Sequence, residues 1–314
     1  MSPASERPMP DSLNPGLLTD QLVVGEATVH WGMVGAGSRT VVLVHGHQAH
    51  HMWWHAVVRH LQNSWRVILF DLSGHGLSDH RENYAAGVQW AHDLLAVLDV
   101  SGADRPVVIG HSMGGRIAVS ATADRPDLVR GIILIDSMVR VVPRHNAAPA
   151  WHPDRRPRVR SNRDEAVARF RLKPDQPNPA PEILRPVAQY SVGPIADGWG
   201  WRYDQRGIPG VNDAAVTSAM ANSQVPLRLV HAEDSRVLGA DAVTEVERLK
   251  PPGGLRVIRL PGCHHHVVLD EPERIAGLID ELAGAIYLCD EGPGPVGAHH
   301  DLRSTINKGA HNGR

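Results

Sequence analysis

The sequence is poor in several features that mark particular protein classes. It has two cysteines in 314 residues, Cys263 and Cys289, which is too few for a disulfide framework and favours a cytoplasmic setting. Its formal net charge of −2 creates no overall field that would attract nucleic acid or a membrane surface. No stretch has the pattern of a signal peptide or a membrane span. We therefore expect a partner that is a small molecule, and nothing here predicts the oligomeric state.

One stretch, Val107 to Gly115, carries the clearest local pattern. A run of β-branched residues leads into Gly110-His111-Ser112-Met113-Gly114, which matches G-x-S-x-G, a serine on a tight turn between a strand and a helix. The glycines leave room for such a turn, and we expect the helix to start at Gly115. At a helix N-terminus the amide of Met113 would point at a developing oxyanion. Ser112 is thus the candidate nucleophile, although a motif this short also occurs by chance.

Short apolar strands alternate with helical segments on both sides of this stretch. We predict strands near residues 41–44, 67–71, 107–110, 131–136, 227–231 and 255–260, and helices near 53–61, 88–98, 241–249 and 272–286. This alternation favours a mostly parallel sheet, in which ligands bind beyond the carboxyl ends of the strands. His47, Ser112 and Asp136 all fall at such ends.

The alternation breaks between residues 137 and 225, which predicts a cap inserted over the site. We expect a core of residues 17–136 and 226–288, with a flexible tail at 1–16 and a disordered one at 289–314. The cap contains Trp151, Trp199 and Trp201, and residues 140–173 hold ten basic side chains against three acidic ones. Such a segment favours an anionic substrate or partner, or else is a solvated surface.

Together these pieces resemble the α/β-hydrolase fold superfamily, as a serine esterase or lactonase-like member with a cap. The matching pieces run in that superfamily's order from about residue 23 to 286: His45-Gly46, the 71–78 loop, residues 110–115 and the stretch from Pro261 to Pro272. The resemblance implies a mostly parallel eight-stranded sheet with helices on both faces and a cap after the sixth strand. It also implies a serine nucleophile, a late histidine base and an oxyanion hole formed by the amides of His47 and Met113.

The resemblance also places the other two members of a catalytic triad. The base stands five residues before the aspartate of Asp-x-Pro, which selects His265 from three consecutive histidines. The slot after the seventh strand that usually holds the acid is occupied by Ser235, with Asp234 and Glu233 just before it. Some members place the acid after the sixth strand instead, where this chain has Asp136. We predict Asp136 as the acid, with Asp234 as the alternative.

The reaction expected of this set is acyl transfer from a carboxylic ester or lactone to water. The tryptophans of the cap favour a hydrophobic substrate, with Trp199 and Trp201 as candidate binding residues, and its arginines favour a carboxylate or phosphate on that substrate. Carbon–carbon bond hydrolysis, other non-ester chemistry and a non-catalytic ligand receptor remain alternatives on the same fold.

A metal-dependent hydrolase is the alternative of a different class. His45, His47 and His50 have the H-x-H-x-x-H spacing of zinc hydrolases, but that motif requires Asp where Ala49 stands. We therefore predict neither a metal nor another cofactor.

Overall fold

The structure, a computed structural model, describes residues 16–123, 125–139, 152, 154–207 and 210–290. Most of the two predicted tails, residues 1–15 and 291–314, lies outside the described residues. The same is true of Arg140, Arg144 and Trp151.

A mostly parallel sheet of eight strands forms the centre of the molecule. The strands of the described residues are β1 (Asp20–Val24), β2 (Ala27–Val34), β3 (Thr40–Val44), β4 (Arg66–Phe70), β5 (Val107–His111), β6 (Gly131–Ile135), β7 (Val192–Ile195), β8 (Gly198–Trp201), β9 (Leu227–Ala232) and β10 (Leu255–Leu260). The large sheet has the order β1-β2-β4-β3-β5-β6-β9-β10, and β7 and β8 form a separate hairpin. Within the large sheet, β1 and β2 are antiparallel to their neighbours, and the remaining strands are parallel to one another.

Helices cover both faces of this sheet. They are α1 (His55–Leu61), α2 (Val88–Val100), α3 (Met113–Thr122), α4 (Arg163–Ala168), α5 (Pro181–Tyr190), α6 (Asp213–Ala221), α7 (Ala240–Glu247), α8 (Val267–Asp270) and α9 (Pro272–Asp290). Every residue of β3, β5 and β6 is buried, as expected for apolar strands covered on both sides. One core packs around Trp54 and Trp65 and the other around Trp90 and Leu94. The predicted fold class is confirmed.

Two helix starts differ from the sequence prediction. α3 begins at Met113, two residues before the predicted Gly115, because the backbone turns sharply at Ser112 and leaves no further turn residue. The helix predicted at residues 53–61 begins with a 3₁₀ turn, His51–Trp54, before α1.

The segment between β6 and β9 contributes α4, α5, β7, β8 and α6. It is tied to the core by backbone hydrogen bonds from the Gly76 amide to the Arg202 carbonyl (2.7 Å) and from the Asp204 amide to the Gly74 carbonyl (2.8 Å). The insertion is therefore held directly against the loop that follows β4. None of the helices in the described ranges combines the length and the hydropathy needed to cross a bilayer.

Candidate active site

Ser112 lies on the sharp turn between β5 and α3. Its backbone has φ 54° and ψ −119°, an unusual conformation for a residue with a side chain, and its amide donates to the Ile135 carbonyl at 3.0 Å. This conformation lifts the hydroxyl out of the sheet at the N-terminus of α3.

The turn leaves no space beside its two motif glycines. A Cβ on Gly110 would lie 2.2 Å from the Gly115 nitrogen, and one on Gly114 would lie 2.3 Å from the Val44 carbonyl oxygen. Both contacts are with backbone atoms, which cannot move aside easily. The glycines of G-x-S-x-G are thus required by the close approach of α3 to β3 and β5.

The structure brings Ser112, His265 and Asp136 into one hydrogen-bonded chain. The Ser112 Oγ is 3.0 Å from His265 Nε2, and His265 Nδ1 is 2.7 Å from Asp136 Oδ2. The histidine and the aspartate are both buried. With Nδ1–H donating to the carboxylate, Nε2 is left to accept the serine proton.

The carboxylate of Asp136 is held by two further donors. The Ala232 amide donates to Oδ1 at 3.1 Å, and the Ser235 hydroxyl donates to Oδ2 at 2.5 Å. Ser235, in the slot where the family usually has the acid, therefore supports an acid supplied from β6. The alternative, Asp234, is exposed, and within the described residues its side chain makes no contact with His265. Asp136 as the catalytic acid stays a prediction, with geometry in its favour.

The loop after β3 approaches the serine closely. A Cβ on Gly46 would lie 3.2 Å from Ser112 Cβ, so the next residue, His47, follows directly beside the hydroxyl. Within the described residues, neither the His47 amide nor the Met113 amide donates to a protein acceptor. Both are therefore available as the predicted oxyanion donors.

A buried hydrogen-bonded pair, His51 with Asp71, supports that loop from behind. The Asp71 Oδ1 accepts the His51 backbone amide at 2.7 Å and lies 3.0 Å from His51 Nδ1, while Oδ2 accepts the Leu77 amide at 2.9 Å. Burial alone would raise the pKa of Asp71, but the neighbouring His51 holds it well below its usual range. Sequence reasoning missed this pair; its only signal was that Asp71 directly follows a buried strand.

The histidines proposed as zinc ligands serve other purposes. His45 Nε2 accepts the Leu72 amide at 3.0 Å and its Nδ1 donates to the Gly46 carbonyl at 2.8 Å. His50 Nε2 is bonded to the Ser191 hydroxyl at 2.9 Å. The two rings thus fix the loop, and with His47 they do not converge on one point, so the zinc hypothesis built on the spacing of His45, His47 and His50 was wrong.

A different set of imidazoles does converge in the described part of the chain. One nitrogen each from His111, His265 and His266 lies within 4.8 Å of the others. Both ring nitrogens of His265 already have partners, Asp136 and Ser112. A metal bound by all three would therefore break this hydrogen-bonded chain.

A cavity of about 340 Å³ lies between the loop that follows β3, called the oxyanion loop below, and the insertion between β6 and β9. Its lining includes His47, Gln48, Trp53, Phe170, Trp201 and Tyr203 together with several cations of the insertion. Trp201 thus faces the candidate site. Trp199 lies away from this cavity, where the Arg163 guanidinium stands 5.8 Å from its ring.

Comparison with known proteins agrees with this fold. A family model described as alpha/beta hydrolase fold matches residues 39–182. Over 262 residues the chain is 25% identical to 2-(acetamidomethylene)succinate hydrolase from Mesorhizobium japonicum, a match covering 80% of this chain and 89% of that protein. It is 33% identical over 114 residues to Karrikin insensitive 2 receptor IA from Petunia hybrida, covering 35% of this chain and 42% of the receptor.

A solved structure extends the likeness of fold. The thioesterase domain from the curacin biosynthetic pathway is 20% identical and superposes with a TM-score of 0.68, over 83% of this chain and 97% of that domain.

Proposed function

We propose, from the premise that this chain belongs to the α/β-hydrolase superfamily, that it is a serine hydrolase cleaving a carboxylic ester or lactone through an acyl-enzyme on Ser112. The observation that carries the proposal is the hydrogen-bonded chain from the Ser112 hydroxyl through His265 to Asp136. Such a chain serves one purpose well, the activation of a hydroxyl as a nucleophile.

The reaction proceeds in two halves on these residues. As Ser112 Oγ attacks the carbonyl carbon, His265 Nε2 takes the hydroxyl proton and Asp136 stabilises the charged ring. The oxyanion receives hydrogen bonds from the amides of His47 and Met113. His265 then delivers its proton to the leaving alkoxide, and a water molecule repeats the sequence on the acyl-enzyme to release the acid.

A second candidate keeps the triad and changes the bond that is broken. The relative from Mesorhizobium japonicum, similar over most of both chains, is named for hydrolysing 2-(acetamidomethylene)succinate, which is not an ester. A carbonyl with a nitrogen or carbon leaving group is open to the same attack by Ser112. The substrate panel described next therefore includes enamides and β-diketones beside esters and lactones.

The test combines turnover with covalent labelling. We expect the wild type to hydrolyse members of an ester and lactone panel and a fluorophosphonate to label Ser112. Ser112→Ala, His265→Ala and Asp136→Asn should each lower kcat by about 10³- to 10⁶-fold. Asp234→Asn, the matched carboxylate control, should retain the wild-type rate.

Each possible failure points to a different conclusion. Labelling of Ser112 without ester or lactone turnover, but with cleavage of an enamide or β-diketone, would select the second candidate. Absence of both labelling and turnover would overturn the hydrolase proposal in favour of ligand binding alone.

A further inference from the structure

We propose that the substrate carries an anionic group, a carboxylate or another oxyanion, away from the bond that is cleaved, and that cations of the insertion bind it above the oxyanion loop. This inference rests on the proposed function, because it names the kind of ester or related carbonyl compound that Ser112 would attack. It assigns a specificity site to the cavity between the insertion and the core.

The cavity wall supplied by the insertion is strongly cationic. Five of its lining residues carry a positive charge, and none of its lining residues is acidic: the cations are Arg158, Arg160, Arg169, Arg171 and Lys173. A concave surface lined by charges of one sign concentrates the opposite charge within it. The opposite wall includes His47, whose amide is one of the two oxyanion donors, so an anion bound here belongs to the molecule undergoing reaction.

Most of this positive charge is uncompensated. Within the described residues, Arg158 and Lys173 have neither an ion pair nor a side-chain hydrogen bond. Among the described residues, Glu165 pairs with two of the other cations, with its Oε1 3.4 Å from the Arg169 guanidinium and 4.0 Å from Arg160 Nε. One carboxylate shared between two guanidinium groups leaves the cluster ready for a further anion.

The segment that carries Lys173 is held by contacts with the loop that contains His265 and His266. Three residues further on, Gln176 accepts the His266 backbone amide at 2.9 Å and donates to Asp270 Oδ2 at 2.7 Å. His266 adjoins His265 in the chain. Lys173 therefore belongs to a segment that is hydrogen-bonded next to the proposed catalytic base, and it does not lie on a remote surface.

Arg158 is fixed from the opposite side of the cavity. Its backbone amide donates to Gln205 Oε1 at 3.0 Å, and nearby Tyr203 forms a β-bridge with His75. His75 Nε2 in turn accepts the amide of Gln48, at 3.3 Å, in the oxyanion loop. A short series of contacts thus connects the position of Arg158 to the site of attack.

Aromatic rings form the apolar part of the same cavity. Trp201 lies parallel to Tyr203, with ring centroids 6.4 Å apart and planes 11° apart, and the Phe170 ring centroid is 6.4 Å from that of Trp201 with the planes at 59°. The rings suit a flat or apolar body, while the cations suit its charged end. The structure thus fits a molecule that has both.

The test compares matched esters that differ in one charge. The pairs are para-nitrophenyl hemisuccinate with para-nitrophenyl butyrate, and meta-carboxyphenyl acetate with phenyl acetate, so that the carboxylate is on the acyl side or the alcohol side. We expect the wild-type kcat/KM to favour the charged member of at least one pair by about tenfold or more, as a charge-assisted hydrogen bond implies. The preference should shrink as salt rises from about 0.02 M to about 0.5 M, because the Debye length falls several-fold.

Substitutions test whether Arg158 and Lys173 cause the preference for the charged ester. Arg158→Gln and Lys173→Gln should each reduce the charged-to-neutral ratio several-fold, and the double variant should bring it close to one. Arg248→Gln removes an exposed arginine on the far side of the fold and should keep the wild-type ratio. Wild-type ratios near one for both pairs, or ratios unchanged in the double variant, would overturn the inference while leaving the hydrolase proposal intact.

A binding measurement keeps the inference testable if no ester is cleaved. Titration of phthalate into Ser112→Ala by calorimetry should give salt-sensitive binding that Arg158→Gln and Lys173→Gln weaken. Binding of that kind without turnover would uphold the anion site and overturn the ester proposal, and an absence of binding together with an absence of turnover would overturn both.

Discussion

Mild acidification should destabilise this protein far more than it does most globular proteins. Five buried imidazoles are uncharged in the folded state. Burial lowers the pKa of His45 to about 4 and of His266 to about 3, and it lowers the pKa values of His50, His75 and His111 well below their usual range. In the unfolded chain each ring takes up a proton near its ordinary pKa of about 6.5.

The magnitude follows from proton linkage. Between the folded and unfolded pKa values the unfolded chain binds more protons, so stability falls as pH falls below about 6.5. At about pH 5, His45 and His266 each contribute a loss of about 2 kcal/mol, against a typical total stability of about 5–15 kcal/mol, and His50, His75 and His111 contribute losses of the same sign.

Two carboxyl groups act in the opposite direction. Burial raises the pKa of Asp270 to about 6, and it also raises the pKa of Asp93. In the acidic range the folded state therefore holds protons on these groups that the unfolded chain lacks. The buried imidazoles outnumber these carboxyl groups, so we expect a net uptake of more than one proton on unfolding near pH 5.5.

The assay is the free energy of unfolding in urea at a series of pH values from about 5 to 7, whose slope gives the proton uptake. His50→Gln should reduce the uptake by about one proton. The matched control, His92→Gln, removes an exposed imidazole and should leave the slope unchanged. An uptake of one proton or less at about pH 5.5 would refute the reasoning, because it would mean that the buried rings are charged in the folded state.

Three further tests address other parts of the structure. In an Asp136→Ala background, Ser235→Asp should restore at least about tenfold in kcat, since the serine hydroxyl lies 2.5 Å from the present carboxylate; no gain would contradict the placement of residue 235. Asp71→Asn should lower the urea unfolding free energy by about 1–3 kcal/mol, because one of the two buried oxygens that accept the His51 and Leu77 amides is lost, and a loss below about 0.5 kcal/mol would show that this carboxylate is dispensable. Gly114→Ala should prevent folding, as judged by circular dichroism, whereas Gly277→Ala, with open space beside it in α9, should stabilise by about 0.5–1 kcal/mol; equal outcomes would contradict the steric account of the turn.

The turn that carries Ser112 was predictable because the residues that form it are adjacent in the sequence. The stretch from Val107 to Gly115 contains the buried β-branched strand, the two motif glycines and Ser112 between them. The unusual backbone conformation of Ser112 completes the turn. The mostly parallel sheet followed from the same kind of pattern, because alternating strands and helices favour it. Helix boundaries were predicted less well: α3 begins before its predicted start, and α9 runs to Asp290, past its predicted end at residue 286.

Long-range partners were not predictable from local patterns. Gln176 meets His266 across 90 residues and His51 meets Asp71 across 20, and no spacing rule encodes such pairs. The spacing of His45, His47 and His50 resembles that of a zinc site, an alternative that the missing Asp at position 49 argued against. In the fold, His45 and His50 form hydrogen bonds with neighbouring loops. A sequence pattern cannot distinguish histidines that form such hydrogen bonds from histidines that bind a metal.

The contact between Ser235 and Asp136 has an evolutionary consequence. Ser235 follows the neighbouring strand and lies 2.5 Å from the carboxylate that contacts His265, so a descendant that gained a carboxylate at position 235 before losing the one at position 136 would keep an acid in this region throughout. Relatives with the acid on either strand are then connected by single steps that each preserve activity. A difference that looks like a rearranged active site reduces to a change in which of two adjacent side chains carries the charge.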